Sequence, residues 1–238
     1  MTRPVIFQES GSPPMNNKYS SSRAFTLIEL LVVISIIAIL ALLAGPALTQ
    51  ALTKGQMTGT LNNARQFYLA SFQMATDGSA NSNPAYTWPG DDASITSLEG
   101  YCNKLVQNDY LKPGDIQKIL NAPGATCNVT TVPGPPVSVT LAGKSGLKVY
   151  KVKEVDSSST IFSVSANYSY NAALDPTKIP YGDKGFVVMR KGGDAGAYRK
   201  NEATQGGWNN DFNKFAAAIG RLPGDSTDDT ASSLTNPQ

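Results

Sequence analysis

The apolar positions form one solid block, followed by several periodic stretches. From Phe25 to Ala44 there are twenty residues, and Glu29 is the only charged one. A helix rises about 1.5 Å per residue, so this block spans about 30 Å, the thickness of a bilayer's hydrocarbon core. Aliphatic side chains fill every face, which a surface helix of a globular domain does not show. Gly45-Pro46 follows. Proline lacks an N–H and crowds the preceding turn, so Pro46 is expected to kink the helix. Beyond it the apolar residues thin to Leu48, Leu52, Leu61, Ala64, Tyr68, Phe72 and Ala75, mostly three or four apart or at sums of these, with polar residues between. The pattern predicts one kinked helix over 25–76, its second half packing Leu61, Tyr68 and Phe72 on a sheet. Gly55 and Gly59 weaken its middle, each by about 1 kcal/mol relative to Ala. Asp77-Gly78 is the expected stop.

Residues 78–92 read as a loop. Within it, Trp88 is read as a plug at the edge of the core, with a ligand-binding aromatic as the alternative. A second helix is predicted over 94–108, with Ile95, Leu98, Leu105 and Val106 as its apolar face. A short third runs over 113–120, where Pro113 suits the first turn and Asp115 its positive end. Residues 121–136 are rich in Pro, Gly and Thr and read as another loop. Strand patterns follow at 137–141, 147–152, 160–164 and 186–189, separated by turn signals. They predict a meander of about four antiparallel strands. A last helix is expected over 212–219. Residues 225–238 have little but Leu234 to bury and are expected to be a disordered tail. The fold class is therefore α+β: a long N-terminal kinked helix packed on an antiparallel sheet, with short extra helices.

The 238 residues carry 20 Lys and Arg against 18 Asp and Glu. The first 24 hold Arg3, Lys18 and Arg23 against Glu9, which leaves 17 against 17 for the rest. A neutral remainder has no nucleic-acid footprint. A basic excess before an apolar run orients the chain with its N-terminus in the cytoplasm. A secretory signal would have a shorter apolar region and a small-residue cut after it, so the apolar run is expected to be retained. Met15 offers a second possible start beside Met1.

A carboxylate inside a membrane segment is a functional candidate with a partner to find. The residues around Glu29 supply a context. The run Phe25-Thr26-Leu27-Ile28-Glu29-Leu30-Leu31-Val32-Val33-Ile34 resembles the N-terminus of type IV pilins and of type II secretion pseudopilins. The resemblance is specific over residues 23–44, fades through the following helix and does not reach the C-terminal two-thirds. It implies that a prepilin peptidase cuts between Ala24 and Phe25 on the cytoplasmic side, and that the new amine of Phe25 is methylated. The family usually has Gly where this chain has Ala24, which is also small. The family's Glu maps onto Glu29, where the resemblance implies pairing with the Phe25 amine of a neighbouring subunit during assembly.

Four segments follow: a cytoplasmic leader at 1–24, a transmembrane and filament-core helix at 25–46, an extracytoplasmic globular domain at 47–224, and the tail at 225–238. The expected function is a structural subunit of a type II secretion pseudopilus or type IV pilus-like filament. It would be held first as a single-pass protein of the bacterial inner membrane. Its partners would be copies of itself in a helical filament, the prepilin peptidase, an inner-membrane assembly platform and the membrane. The alternative is a membrane-tethered binding module or adhesin, a minor pilin gripping a ligand through Trp88, Trp208 or the loops.

Nothing in the sequence points to an enzyme or a cofactor. There is no histidine, which removes the usual nucleophile–base pairs and the commonest transition-metal ligand. Two cysteines without a C-x-x-C cannot build a Cys₄ zinc site. In an extracytoplasmic domain Cys102 and Cys127 are free to oxidise. A disulfide would close about 25 residues and contribute about 3 kcal/mol. The alternative is two separate buried thiols. Asp175, Asp183 and Asp194 lie among glycines, but their spacing matches no calcium loop and they are read as solvated turn residues, with no metal site.

Overall fold

The computed structural model describes residues 25–237. Ala24 and both candidate starts lie outside the described residues. The chain divides into two units, Met1–Ala47 and Leu48–Gln238, and helix α1 (Leu27–Asn81) contributes to both.

In the first unit, α1 begins two residues after Phe25, and every residue from Phe25 to Gly45 is exposed. The polar groups within it are satisfied locally. The Ser35 hydroxyl donates to the Leu31 carbonyl at 2.7 Å, one turn back. The chain stays helical through Pro46.

In the second unit, α1 buries a stripe at Met57, Thr60, Ala64, Phe67, Ser71 and Met74, spaced three and four apart, with Tyr68 and Ala75 beside it. This phase differs from the one expected. Phe67 is fully buried and meets the rings of Tyr101 and Phe162. Tyr68 is buried as predicted, while Leu61 is half-buried and Phe72 remains 48% exposed at the stripe's edge. The polar members are paired: the Ser71 hydroxyl donates to the Phe67 carbonyl at 2.9 Å, and Tyr68 Oη to the Lys191 carbonyl at 2.8 Å. The helix also runs past Gly78 to Asn81. Gly78 serves a close approach, since a Cβ there would lie 1.8 Å from the Tyr86 carbonyl oxygen.

Helix α3 (Pro113–Leu120) forms over the predicted residues, while α2 (Leu98–Gln107) starts four residues later than predicted and leaves Ile95 ahead of it. Ser97 caps α2 by accepting from the Gly100 N–H at 3.1 Å. Strands β1 (Cys127–Val132) and β2 (Ser138–Gly143) make a separate antiparallel hairpin. Helix α2 lies along the free edge of β2. There Asn103 both accepts from the Val139 N–H and donates to its carbonyl, and the Glu99 carboxylate accepts from the Leu141 N–H. These contacts stand in for a missing neighbour strand.

The main sheet is an antiparallel meander in the order β3 (Leu147–Val149), β4 (Ile161–Ser165), β5 (Phe186–Arg190), β6 (Ala195–Tyr198). Four strands were expected, but with different members. The 137–141 segment belongs to the hairpin, and β6 takes the fourth place. β4 is buried along its whole length, and β5 up to Arg190, because elements cover both faces. Helix α1 contributes Phe67 and Tyr68 against Phe162. A second group stacks Tyr168 on Phe186 and Phe186 on Tyr198. Helix α4 (Phe212–Ala218) is capped by Asp211 and sets Phe215 against Tyr170.

The final residues correct the expectation of a disordered tail. They carry a short helix α5 (Asp229–Ser232) and then run along the edge of β3. The Leu234 N–H donates to the Val149 carbonyl, the Leu98 N–H donates to the Thr235 carbonyl, and the Leu234 side chain is buried. Asp229 pairs with Lys148 at 2.5 Å and accepts from Tyr150 Oη at 2.5 Å. Burial pulls the Lys148 ammonium below its usual range, and Asp229 partly offsets this. Backbone pairing and one half-buried ion pair hold a segment that has almost no apolar side chains.

Candidate processing and assembly site

Phe25 lies just outside α1 and is 77% exposed. Thr26 is the first residue to shape the helix start. Its hydroxyl accepts from the Glu29 N–H at 3.3 Å, and the Glu29 carboxylate accepts from both the N–H and the hydroxyl of Thr26 at 2.8 Å. This reciprocal arrangement is a capping box. It satisfies helix-end donors that lipid would leave unpaired and sets a negative charge at the positive end of the dipole. Thr26 is a partner of Glu29 within the same chain, beside the one on another subunit that the family resemblance implies. The signal was available: a Thr three residues before a Glu, ahead of an apolar run, is a helix-start signature.

The site therefore has an exposed residue, Phe25, just ahead of the helix, a carboxylate one turn into it, and an apolar helix with no cover. Among the described residues, α1 is the one helix long and apolar enough to cross a membrane. Residues 19–45 match the model of the prokaryotic N-terminal methylation motif. The chain carries a prokaryotic N-terminal methylation motif. The match takes in Phe25, Glu29 and the apolar run, and it ends one residue before Pro46. This motif fits a type IV pilin-like substrate of the prepilin peptidase, anchored by its N-terminal helix. No curated protein and no solved structure matches the chain.

The other candidates lie in the second unit. Cys102, on α2, and Cys127, at the start of β1, are both buried in one cluster and are thiols here. Burial pushes both thiols up, and the nearby Cys127 raises Cys102 further. Trp88 is 2% exposed. Its indole N–H donates to the Glu154 carboxylate at 2.6 Å and its ring packs beside Tyr68 and Phe162, which is the plug expected. Trp208 is half-buried and donates to the Glu202 carbonyl at 3.1 Å. The three loop aspartates are engaged separately. Asp175 accepts from Thr177, Asp183 pairs with Lys200 at 2.6 Å, and Asp194 pairs with Arg190.

Proposed function

We propose that this chain is a structural subunit of a type II secretion pseudopilus or type IV pilus-like filament. The observation that carries the reading is the exposure of every residue from 25 to 45 beneath a methylation motif, with one carboxylate in the segment. So much apolar surface needs a solvent of its own. Lipid supplies it before assembly, and the same segment of other subunits supplies it afterwards. A contact that repeats without closing yields an open helical polymer.

On this reading the peptidase cuts between Ala24 and Phe25, the Phe25 amine is methylated, and Pro46 bends the helix where it leaves the membrane. Glu29 then exchanges its local cap for the Phe25 amine of a neighbour. Two charges that are each costly alone in an apolar medium are satisfied together. The globular domain lies outside the cytoplasm, where the thiols of Cys102 and Cys127, buried in one cluster, oxidise to a disulfide. A tethered binding module gains nothing from Trp88, whose ring is enclosed.

Mass spectrometry of assembled protein tests the processing. The expected N-terminus is methylated Phe25, and residues 1–24 still attached would overturn it. Glu29→Ala should insert into the membrane and be cleaved but yield no sheared filament. Glu29→Gln should be nearly as defective. Normal filaments from Glu29→Ala would remove Glu29 from the assembly step.

A further inference from the structure

A groove of about 950 Å³ opens in the second unit between α1 and the β6 end of the sheet. One wall is the α1 stretch from Thr49 to Thr58, and the other is the chain from Ala197 to Asn201. Four cations line it, Lys54, Lys184, Arg199 and Lys200, and no carboxylate does. Three of the four loop and helix cations have no ion pair among the described residues. Only Lys200 does, with Asp183, which sits beside Lys184. Met57, among the lining residues, is apolar and buried. Such a surface fits a phosphate with a small polar or apolar attachment.

Its position along the chain narrows the source. Thr49 follows Ala44 by five residues. Five residues reach at most about 18 Å however the chain bends. If residues 25–44 span the bilayer, the rim of the groove is tethered at the outer headgroups, where exposed cations gain most from anionic lipid. We propose that this groove seats the phosphate headgroup of an anionic phospholipid in the outer leaflet. The proposal rests on the membrane reading of α1 but does not require filament assembly. The lipid would hold the globular domain against the membrane until the subunit is extracted.

The test reconstitutes the full chain, one copy per nanodisc, in phosphatidylcholine alone or mixed with phosphatidylglycerol. Hydrogen exchange at residues 182–184 and 197–201 should slow about fivefold or more in the mixed discs. The combined Lys54→Gln, Lys184→Gln and Arg199→Gln variant should lose that difference. Lys54→Gln alone, at an exposed helical position, should weaken it while the fold is kept. Equal exchange in the two discs would overturn the proposal. Equal protection from inorganic phosphate in phosphatidylcholine discs would reassign the groove to a free anion, and protection only when two copies share a disc would reassign it to a second copy. A chain that enters neither disc would overturn the membrane reading, and with it the tether.

Discussion

The two stretches of α1 have the same backbone and opposite needs. Residues 27–45 expose every side chain, and their polar groups bond within the helix itself. Residues 57–75 bury a stripe, and Tyr68 reaches across to the main chain of Lys191 after β5. The first stretch is complete as a helix and incomplete as a surface. The second is weak as a helix, with Gly55 and Gly59 just before and within it, and is held by what it packs against. A Cβ at either glycine would touch nothing within 4 Å, so neither glycine is required by close packing. Hydrophobicity therefore does two jobs along one element: solubility in an external medium, and register against an internal core.

Substitution breaks this comparison most sharply. Phe67 is fully enclosed between Tyr101 and Phe162. Phe67→Ala should cost about 3–5 kcal/mol, read as a lower denaturant midpoint for the full chain in detergent. Leu40→Ala, in the exposed stretch, should leave that midpoint where it is. Equal losses from the two variants would mean that the apolar stretch is a folded core and not a surface awaiting lipid or neighbours.

The cysteines sharpen the contrast, because they concern only the second unit. Non-reducing peptide mapping should find Cys102 linked to Cys127, and reduction should lower the domain's stability by about 3 kcal/mol. The exposed stretch should show no change in hydrogen exchange. Free thiols recovered with a rapid alkylating trap would count against both the bridge and the oxidising compartment.

The helices were legible in the sequence because periodicity and punctuation agreed. Pro113 and Leu120 bound α3 as read, and α4 ends one residue short. The strands were less legible. β1 has only Cys127 buried and Val129 half-buried, so its alternation is short and stops at Thr130-Thr131, and its order comes from the β2 ladder. β6, Ala195-Gly196-Ala197-Tyr198, has a single large side chain and sits at an edge. The order of the tail is not visible in composition, which counts apolar side chains, while Asp229 and the main chain of residues 232–235 do the anchoring there. At the candidate processing site the residues are legible because the motif is contiguous. The basic groove was not, since Lys54, Lys184 and Arg199 are brought together only by the fold.

The smallest expected effect is the most discriminating. Glu29 has a local partner in Thr26, and the proposal gives it a second one on a neighbour. Thr26→Ala removes the hydroxyl that accepts from the Glu29 N–H and donates to its carboxylate, but leaves the Thr26 N–H contact. Losing such a cap typically costs about 1 kcal/mol. It should appear as faster exchange of the amides at residues 27–30 in nanodiscs, and Thr26→Ser should restore slow exchange. Filament yield should fall only slightly, because the carboxylate is still free to meet a neighbour's amine. If Glu29 acts only as a cap, Thr26→Ala and Glu29→Ala should damage assembly to a similar degree, and the double variant should add little. If it pairs between subunits, Glu29→Ala should abolish filaments that Thr26→Ala still makes. The ratio of the two defects, measured on cleaved protein at equal membrane content, decides which partner assembly requires.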